Sequence, residues 1–346
     1  MATSIPEVVS KRTEPQPRAW RRIFDRLISA HELGPFALLI FLALIFNSAG
    51  PSFLSIMNVS NMLQYVPELG IMALGMTLLL TAGELDLSIG AIFGFAPVIM
   101  YILFNRHLMS FEAAFFVVMA LCGLIGLING WLVTKVRISS FITTIGMMLV
   151  VRGIALYASN GFPQATWQTE SWIKSGLVGT VARVGEFTLL ASLLWYIGLA
   201  VILHVILNNS RLGNWIMATG GNLKAAQARG VNTDRVKIIL FTLSGLLSGL
   251  AGNIDALRIS AAYPISGTGY ELEVIAMVVI GGTLLNGGQG TILGTVIGVL
   301  LLRVIRNGII VVGVPGLAYN IFIGVIIILM MALHSGIGRR QVGGEA

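Results

Sequence analysis

The chain has 346 residues, of which 56% are hydrophobic and only 11% are charged, and its mean hydropathy is +0.88. An average soluble domain carries about a quarter charged residues, so this composition excludes a soluble globular protein and predicts one embedded in a bilayer. The formal net charge of +7 comes from short loops beside apolar runs, which favours positive-inside sorting over nucleic-acid binding. The single cysteine, Cys122, lies in an apolar run and excludes a disulfide framework, so we expect a buried, inert thiol.

Residues 1–34 are predicted to form a cytoplasmic segment with an amphipathic helix at the membrane surface. Six lysines and arginines crowd this stretch, and no small-residue cleavage site follows a short apolar core, so it is not a cleavable signal. Trp20, Phe24 and Leu27 recur at helical spacing between charged residues, which is typical of an interfacial helix.

Ten apolar runs follow, and they predict an all-α membrane protein, a polytopic bundle of about ten transmembrane helices over residues 35–335. Most runs approach the length of about 20 residues that a helix needs to cross a bilayer. The run at 272–285 is short and ends in a glycine-rich segment, so we interpret it as a broken or re-entrant helix. The runs are 36–53, 62–82, 87–104, 111–133, 138–158, 187–207, 238–257, 272–285, 291–312 and 317–334.

Charges between the runs predict the topology. Residues 159–186 are charge-balanced and contain two tryptophans, so we expect a periplasmic segment, whereas residues 209–237 are strongly basic and should be cytoplasmic. From a cytoplasmic N terminus, six runs return the chain to the cytoplasm at the basic segment. Four more leave the tail, 336–346, inside with Arg339 and Arg340, so both termini are predicted to be cytoplasmic.

Glycine spacing suggests an internal repeat. Shifting the chain by 204 residues superposes Gly83, Gly90 and Gly94 on Gly287, Gly294 and Gly298. A shift of 178 residues superposes Asn129-Gly130 on Asn307-Gly308. The span count makes the first pair of segments parallel and the second inverted, and chance matches compete in a glycine-rich chain, so the repeat and its orientation stay open. Transporters built from two related halves carry their site where the halves meet.

The most unusual stretch is 83–90, Gly-Glu-Leu-Asp-Leu-Ser-Ile-Gly, which places two carboxylates between apolar runs. An unpaired charge in hydrocarbon loses its hydration, so these acids indicate either a substrate pathway or an interfacial loop with solvated acids. Glycines at both ends favour a helix break that lines a watery cavity. We assign Glu84, Asp86 and Ser88 to a translocation pathway, with Asn286 and Gln289 of the glycine-rich segment.

Within the basic segment, residues 218–231 predict a short helix that docks on a cytoplasmic partner. Asn222 can cap its start, alanines favour helix, and Gly230 can end it. Small side chains permit close packing in a partner's groove, whereas an ordinary positive-inside loop is the plainer alternative. The predicted docking residues are Gly221, Asn222, Ala225, Ala226, Arg229 and Gly230.

The remaining motifs indicate structure rather than chemistry. Residues 281–291 lack the lysine of a P-loop, the histidines have no metal-ligand spacing, and no nucleophile has a base. We therefore predict no catalytic, cofactor-binding or metal residues. Glycine pairs four residues apart, such as Gly245 and Gly249, predict close helix packing. Arg258 can pair with Asp255, and the other arginines in or near the runs are expected to snorkel: Arg152, Arg303 and Arg306.

Together these motifs resemble the permease subunits of bacterial ABC importers for ribose-like sugars, the binding-protein-dependent transport family 2. Residues 83–90 are similar to that family's G-G-I-D-L-S-V-G. The resemblance continues through Asn129-Gly130, residues 221–231 and the glycine-rich stretch 269–294, and it covers roughly 59–334. Glu84 departs from the family pattern, which usually has glycine there, so a ribose preference does not transfer directly.

The resemblance implies a dimer with a second copy or a paralogue in the bacterial inner membrane. A periplasmic sugar-binding protein would deliver the solute, and cytoplasmic ATPase subunits would bind ATP, so this chain itself would be neither an enzyme nor a cofactor carrier. One alternative is an ion-coupled secondary transporter of a small polar solute that uses Glu84 or Asp86 and needs no docking helix. A second is an intramembrane enzyme, for which the sequence lacks a catalytic set.

Overall fold

A computed structural model describes residues 32–166, 170–315, 321–322, 324–325 and 328. Most of these residues are helical. The helices are α1 (Leu33–Ala49), α2 (Ile56–Thr81), α3 (Ile89–Asn105), α4 (Phe111–Trp131), α5 (Ser140–Ser159), α6 (Trp172–Val178), α7 (Ala191–Asn209), α8 (Arg211–Gly221), α9 (Leu223–Ala228), α10 (Thr233–Ile259), α11 (Tyr270–Ile280) and α12 (Ile292–Val311). The strands are β1 (Gln164–Ala165), β2 (Thr180–Val184), β3 (Phe187–Leu190) and β4 (Ala261–Ala262).

Six helices in the described part are long and apolar enough to cross a membrane: α2, α4 with the π-helical turn Leu132–Val136 that continues it, α5, α7, α10 and α12. Helices α1 and α3 are apolar but have 17 residues each. Helix α11 has only 11 residues, so the short run at 272–285 is a broken segment, as its sequence suggested. A multi-pass membrane protein is confirmed, while the ten-span count and the internal repeat stay predictions.

Three predicted regions lie wholly or almost wholly outside the described residues. They are the amphipathic helix of 1–34, the tenth run at 317–334 and the tail 336–346.

The chain is mostly helical, as expected, but its described part also contains two short antiparallel sheets. Strand β1, after α5, pairs with β4, after α10, and β2 pairs with β3 between α6 and α7. The predicted run 187–207 therefore begins as a strand, and its helix starts only at Ala191. Gly185, between β2 and β3, adopts φ +58°, which suits a tight hairpin turn. The Thr188 N–H donates to the Ser60 hydroxyl at 2.9 Å, so the hairpin is tied to α2.

Helix α2 is the most buried of the six long helices. Over the most apolar 18 residues of each helix, 83% of α2, 67% of α12 and 61% of α10 are buried, against 22% of α5. Helix α10 packs on α4, α3 and α2. Gly245 and Gly249 lie directly against Cys122 of α4, where a Cβ would collide, so this predicted glycine pair is a packing contact. Cys122 is buried, as expected.

Contacts between the connecting segments show which helix ends lie together at each end of the bundle. At one end, Lys135 after α4 pairs with Asp234 of α10 at 2.9 Å. This is the basic end, which includes residues 209–237. At the other end β1 pairs with β4, and Lys174 of α6 donates to the Ser260 hydroxyl at 3.1 Å. This is the hairpin end.

Candidate translocation site

The predicted helix break after α2 is present and spans residues 82–88. Gly83 adopts φ +80°, which side chains other than glycine rarely tolerate, so glycine allows α2 to stop here. The Ser88 N–H and hydroxyl both donate to Asp86 Oδ1, at 3.0 and 2.5 Å. This local turn directs the chain into α3 at Ile89.

Asp86 lies at the centre of a buried hydrogen-bond network that joins the break to two helices. Its Oδ2 accepts a hydrogen bond from the Ser244 hydroxyl of α10 at 2.9 Å. The Ser88 hydroxyl accepts one from Asn129 Nδ2 of α4 at 3.0 Å. Asp86, Ser88 and Asn129 are all 0% exposed. We call these four residues the Asp86 network. Because donors occupy both carboxylate oxygens, the network holds the break firmly against α4 and α10.

Glu84, the second carboxylate of the break, forms an ion pair with Lys237 in the first turns of α10. The Nζ–Oε1 distance is 2.5 Å, and the two side chains are only 15% and 11% exposed. An adjacent cation offsets the cost of taking a carboxylate out of water. The pair therefore explains how Glu84 is accommodated, and sequence reasoning did not identify Lys237 as its partner.

Three backbone segments meet beside the break at four glycines, Gly83, Gly220, Gly287 and Gly288, which we call the glycine junction. A Cβ on Gly287 would lie 2.9 Å from the Gly83 Cα and 3.0 Å from the Gly220 Cα. The Gly288 N–H donates to the Thr81 carbonyl at 2.9 Å. No side chain separates these backbones, so the junction closes the bundle at the basic end.

The other two predicted pathway residues flank this junction. Asn286 and Gln289 belong to the loop between α11 and α12, and both are exposed. The structure brings their loop to the break through Gly287 and Gly288, but no hydrogen bond in the described part of the chain joins either side chain to the Asp86 network.

The predicted short helix is confirmed as α9, and its docking role stays a prediction. Asn222 Oδ1 accepts a hydrogen bond from the Ala225 N–H at 3.0 Å, and Gly230 follows the helix with φ +85°. The docking residues Gly221, Asn222, Ala225, Arg229 and Gly230 are exposed. Ala226 is only 4% exposed, because it lies on the face of α9 that packs against the rest of the protein. Ala226 is therefore not available to a partner, whereas Ala225 is.

Helix α8, which precedes α9, was not anticipated from the sequence. Its start does carry a recognisable signal, since the Ser210 hydroxyl accepts a hydrogen bond from the Gly213 N–H at 3.2 Å, as a helix cap does.

A second polar cluster lies toward the hairpin end and was missed in the sequence. It surrounds a cavity of about 450 Å³ between α2, α10, α11 and α12, which we call the Glu68 cavity. Its polar lining consists of Asn61, Tyr65, Glu68, Asp255, Arg258, Tyr270, Arg303, Arg306 and Asn307. Two signals were available: a lone glutamate inside an apolar run, and the spacing of residues 61, 65 and 68, which places them on one helical face.

Ion pairs organise the floor of the Glu68 cavity. Glu68 is 4% exposed and accepts a hydrogen bond from Arg258. Its other oxygen lies 3.5 Å from Arg303 Nη2. Arg258 also bonds Asp255 at 3.1 Å, as predicted, and its guanidinium lies 4.1 Å from the centre of the Tyr65 ring. Four charged groups from three helices thus neutralise one another at one place.

The expectation that Arg303 and Arg152 snorkel is wrong. Arg303 is only 5% exposed because Glu68 attracts it inward. Arg152 of α5 instead donates to the carbonyls of Pro264, Ser266 and Gly90, at 2.9, 2.5 and 3.2 Å. Arg152 therefore fastens the connection between α10 and α11 onto α3. Among the described residues, no group of three histidines, cysteines or acids could hold a metal ion.

Comparisons with known proteins identify relatives over nearly the whole chain. The ribose import permease protein RbsC of Escherichia coli (strain K12) is 36% identical over 314 residues, which are 90% of this chain and 96% of that protein. The probable ABC transporter permease protein YphD of the same strain is 32% identical over 323 residues, 91% and 93% of the two chains. No solved structure gives a significant match.

A permease from a different organism is also similar over most of the chain. The xylose/arabinose import permease protein XylH of Sulfolobus acidocaldarius is 31% identical over 317 residues, 89% of this chain and 85% of that one. These relatives fit the permease interpretation rather than the ion-coupled alternative, and they are transport components rather than enzymes. Residues 58–331 match a family model, and the chain accordingly belongs to the family described as branched-chain amino acid transport system / permease component.

Proposed function

We propose that this chain is the membrane-spanning permease subunit of an ABC importer and carries a sugar or a related small polar solute. Full-length relatives named as import permeases for ribose and for xylose and arabinose support the solute class. The main structural support for the proposal is the Glu68 cavity, a polar cavity inside an apolar bundle. The closely packed glycine junction lies beside the other end of α2, which also lines this cavity. Such a cavity is a place where a hydrophilic solute can rest within a membrane.

The pathway would run along α2 and α10, from the Glu68 cavity past the break to the glycine junction. Glu68 and Thr81 are 13 residues apart on α2, which corresponds to about 20 Å at 1.5 Å per residue. We place Glu84, Asp86 and Ser88, with Asn286 and Gln289, in the inner part of this pathway. The hydrogen bonds of the Asp86 network and the junction contacts would have to open for a solute to pass.

The importer needs partners that this chain does not supply. We propose a dimer with a second copy or a paralogue, cytoplasmic ATPase subunits that bind ATP, and a periplasmic sugar-binding protein. The assembly would lie in the bacterial inner membrane with both termini in the cytoplasm, so that the basic end faces the ATPase and the hairpin end faces the binding protein. This orientation follows the positive-inside rule.

Helix α10 provides a mechanical connection between the ATPase and the pathway. It begins five residues after α9 ends, and its side chains contact each polar element in turn. Lys237 pairs with Glu84, Ser244 bonds Asp86, and Arg258 bonds Glu68. A rigid displacement of α9 by the ATPase would therefore move α10 and change all three contacts together.

Transport assays in proteoliposomes test the proposal. The purified chain alone should neither hydrolyse ATP nor accumulate radiolabelled ribose, xylose or galactose under a proton or sodium gradient. Together with the ATPase and sugar-binding protein of the same organism, it should import at least one of these sugars in an ATP-dependent way. Gradient-driven accumulation by the chain alone would contradict the importer and favour a secondary transporter.

The docking role of α9 is tested at Ala225. An Ala225→Trp variant places a large side chain on the exposed face, so the permease should fold and insert normally but lose ATPase co-purification and uptake. Val201→Trp, at an exposed position of α7, is the matched control and should keep both. Normal co-purification and uptake with Ala225→Trp would show that the ATPase docks elsewhere.

A further inference from the structure

We infer that the Glu68 cavity is a binding subsite for the transported solute, and that it takes a small, hydroxyl-rich molecule. The inference rests on the proposed function and adds to it the chemistry of the site and the residues that contact the solute.

Four buried donor atoms around the cavity lack a hydrogen-bond partner. They are Arg258 Nε, Arg303 Nε, Asn307 Nδ2 and Arg303 Nη2, the last of which has only the ion-pair contact with Glu68 at 3.5 Å. Arg303 is only 5% exposed, so bulk water does not satisfy it. Buried polar groups in folded proteins are nearly always hydrogen-bonded, and unsatisfied ones call for a partner that is not part of the chain. Here that partner must supply oxygen or nitrogen acceptors.

The two carboxylates that line the cavity are already engaged. One oxygen of Glu68 accepts from Arg258, and the other lies beside Arg303. Asp255 accepts from Arg258 as well. These carboxylates contact only part of each guanidinium group. The remaining arginine N–H groups and the Asn307 amide are therefore available to bind a ligand in the cavity. Hydroxyl groups suit such edges, because each one accepts a hydrogen bond and can donate another.

The cavity also has the dimensions and the graded exposure of a ligand site. Its volume of about 450 Å³ lies within the range of small-molecule pockets. Asn61 and Tyr65 are exposed at its mouth, whereas Glu68 and Arg303 lie buried at its floor. Two tyrosine rings, Tyr65 and Tyr270, supply apolar surface beside the polar groups. A pocket of this make-up can bury the carbon skeleton of a sugar while donors reach its oxygens.

Charge narrows the ligand further. Both carboxylates of the lining, Glu68 and Asp255, are already paired with Arg258 or Arg303, so they offer a cation little. A small organic cation is therefore disfavoured, whereas neutral sugars and sugar acids both bring the required hydroxyl oxygens. The tests below separate these two sources by comparing D-ribose, D-xylose and D-galactose with D-gluconate, and choline serves as the cationic comparison.

Ligand protection of an introduced thiol tests occupancy directly. The native Cys122 is buried, so an Asn61→Cys variant, at the exposed mouth of the cavity, presents one accessible thiol to a membrane-impermeant maleimide. A bound sugar should slow its labelling at least threefold, and choline should not; protection by gluconate alone would assign the subsite to a sugar acid. Val181→Cys, on the exposed hairpin, is the matched control and should label equally fast with and without sugar. Equal labelling of Asn61→Cys with every sugar and with gluconate would overturn the inference.

Coupled transport by the full complex provides the second measurement. An Asn307→Ala variant should import at least fivefold less sugar per ATP hydrolysed, while the ATPase activity stimulated by the binding protein stays within twofold of wild type. Asn105→Ala, at the same end but outside the cavity, should not change this ratio. A wild-type ratio for Asn307→Ala in a transporting complex would overturn the subsite and leave the importer intact. Absence of ATP-driven uptake by the wild-type complex would instead overturn the proposed function and, with it, the solute subsite.

Discussion

The Asp86 network and the Glu68 cavity both bury a carboxylate beside α10, yet their hydrogen bonding differs. Both oxygens of Asp86 accept from hydroxyl and backbone donors within a closely packed site. Glu68 is instead held by two arginines, which retain unpaired donor atoms at the edge of a cavity. Asp86 has a donor for each oxygen and so fixes how α4 and α10 pack on the break, and in its network only Asn129 Oδ1 lacks a partner. The Glu68 cavity has surplus donors instead, which gives it capacity for a ligand.

This difference also corrects an intuition about sequence motifs. The conspicuous stretch 83–90 contains the better satisfied carboxylate, while the cavity is assembled from single polar residues scattered over four helices. Motif prominence therefore indicates where the chain must turn and pack, and need not indicate where a solute rests.

Replacing Glu68, the buried carboxylate of the cavity, should have the largest effect on the free energy of unfolding. Glu68→Leu leaves Arg303, which is 5% exposed, without its counter-charge, and an uncompensated buried charge lowers the free energy of unfolding by about 3–5 kcal/mol. The double variant Glu68→Leu/Arg303→Met should recover most of this loss, because an apolar pair of similar volume replaces the ion pair. Unfolding by SDS in mixed micelles measures both. A loss below about 1 kcal/mol for the single variant would show that the pair is solvated.

Replacing Asp86 should have an intermediate effect that depends on the substituent. Asp86→Leu leaves the Ser88 and Ser244 donors unsatisfied and should lower the free energy of unfolding by about 3 kcal/mol. Asp86→Asn keeps the shape of the side chain and should lower it by about 1 kcal/mol. The same micelle titration compares them. Equal losses for the two variants would show that charge, rather than hydrogen bonding, is what the network requires. If Asp86 belongs to the pathway, Asp86→Asn should also reduce transport more than assembly.

The Glu84–Lys237 pair should contribute less, because both side chains retain some contact with solvent. A double-mutant cycle of Glu84→Gln and Lys237→Met should give a coupling energy of about 1 kcal/mol. The cycle isolates the pair from the other contacts of each residue. A coupling energy near zero would mean that the two side chains interact with water more than with each other.

The smallest effect is expected at the mouth of the cavity. Tyr65 is 44% exposed, so losing its contact with the Arg258 guanidinium through Tyr65→Leu should cost about 0.5–1 kcal/mol. Tyr65→Phe keeps the aromatic face and should resemble wild type in thermal unfolding. Equal losses for both variants would assign the effect to the hydroxyl group instead of the ring.

Much of the local structure could be read from the residues alone. Apolar runs located most of the helices, Gly83 marked the break, and Asn222 with Gly230 bounded the docking helix. These features depend on neighbours within a few residues, which the sequence displays. The β2–β3 hairpin was missed because its residues continue directly into the apolar run of α7, and α8 was missed because its basic and polar residues also suit a loop.

Composition alone indicated a chain embedded in a bilayer, and local patterns indicated the apolar runs, the helix break at Gly83 and the family motifs. Only the tertiary structure decided that Glu84 contacts Lys237, that Asp86 contacts Ser244, and that Glu68 contacts Arg258 and Arg303. Periodicity reports which face of one helix is polar, but not which distant helix packs against that face. Those pairings depend on how whole helices fit together, and so the cavity emerges only when α2, α10, α11 and α12 are side by side.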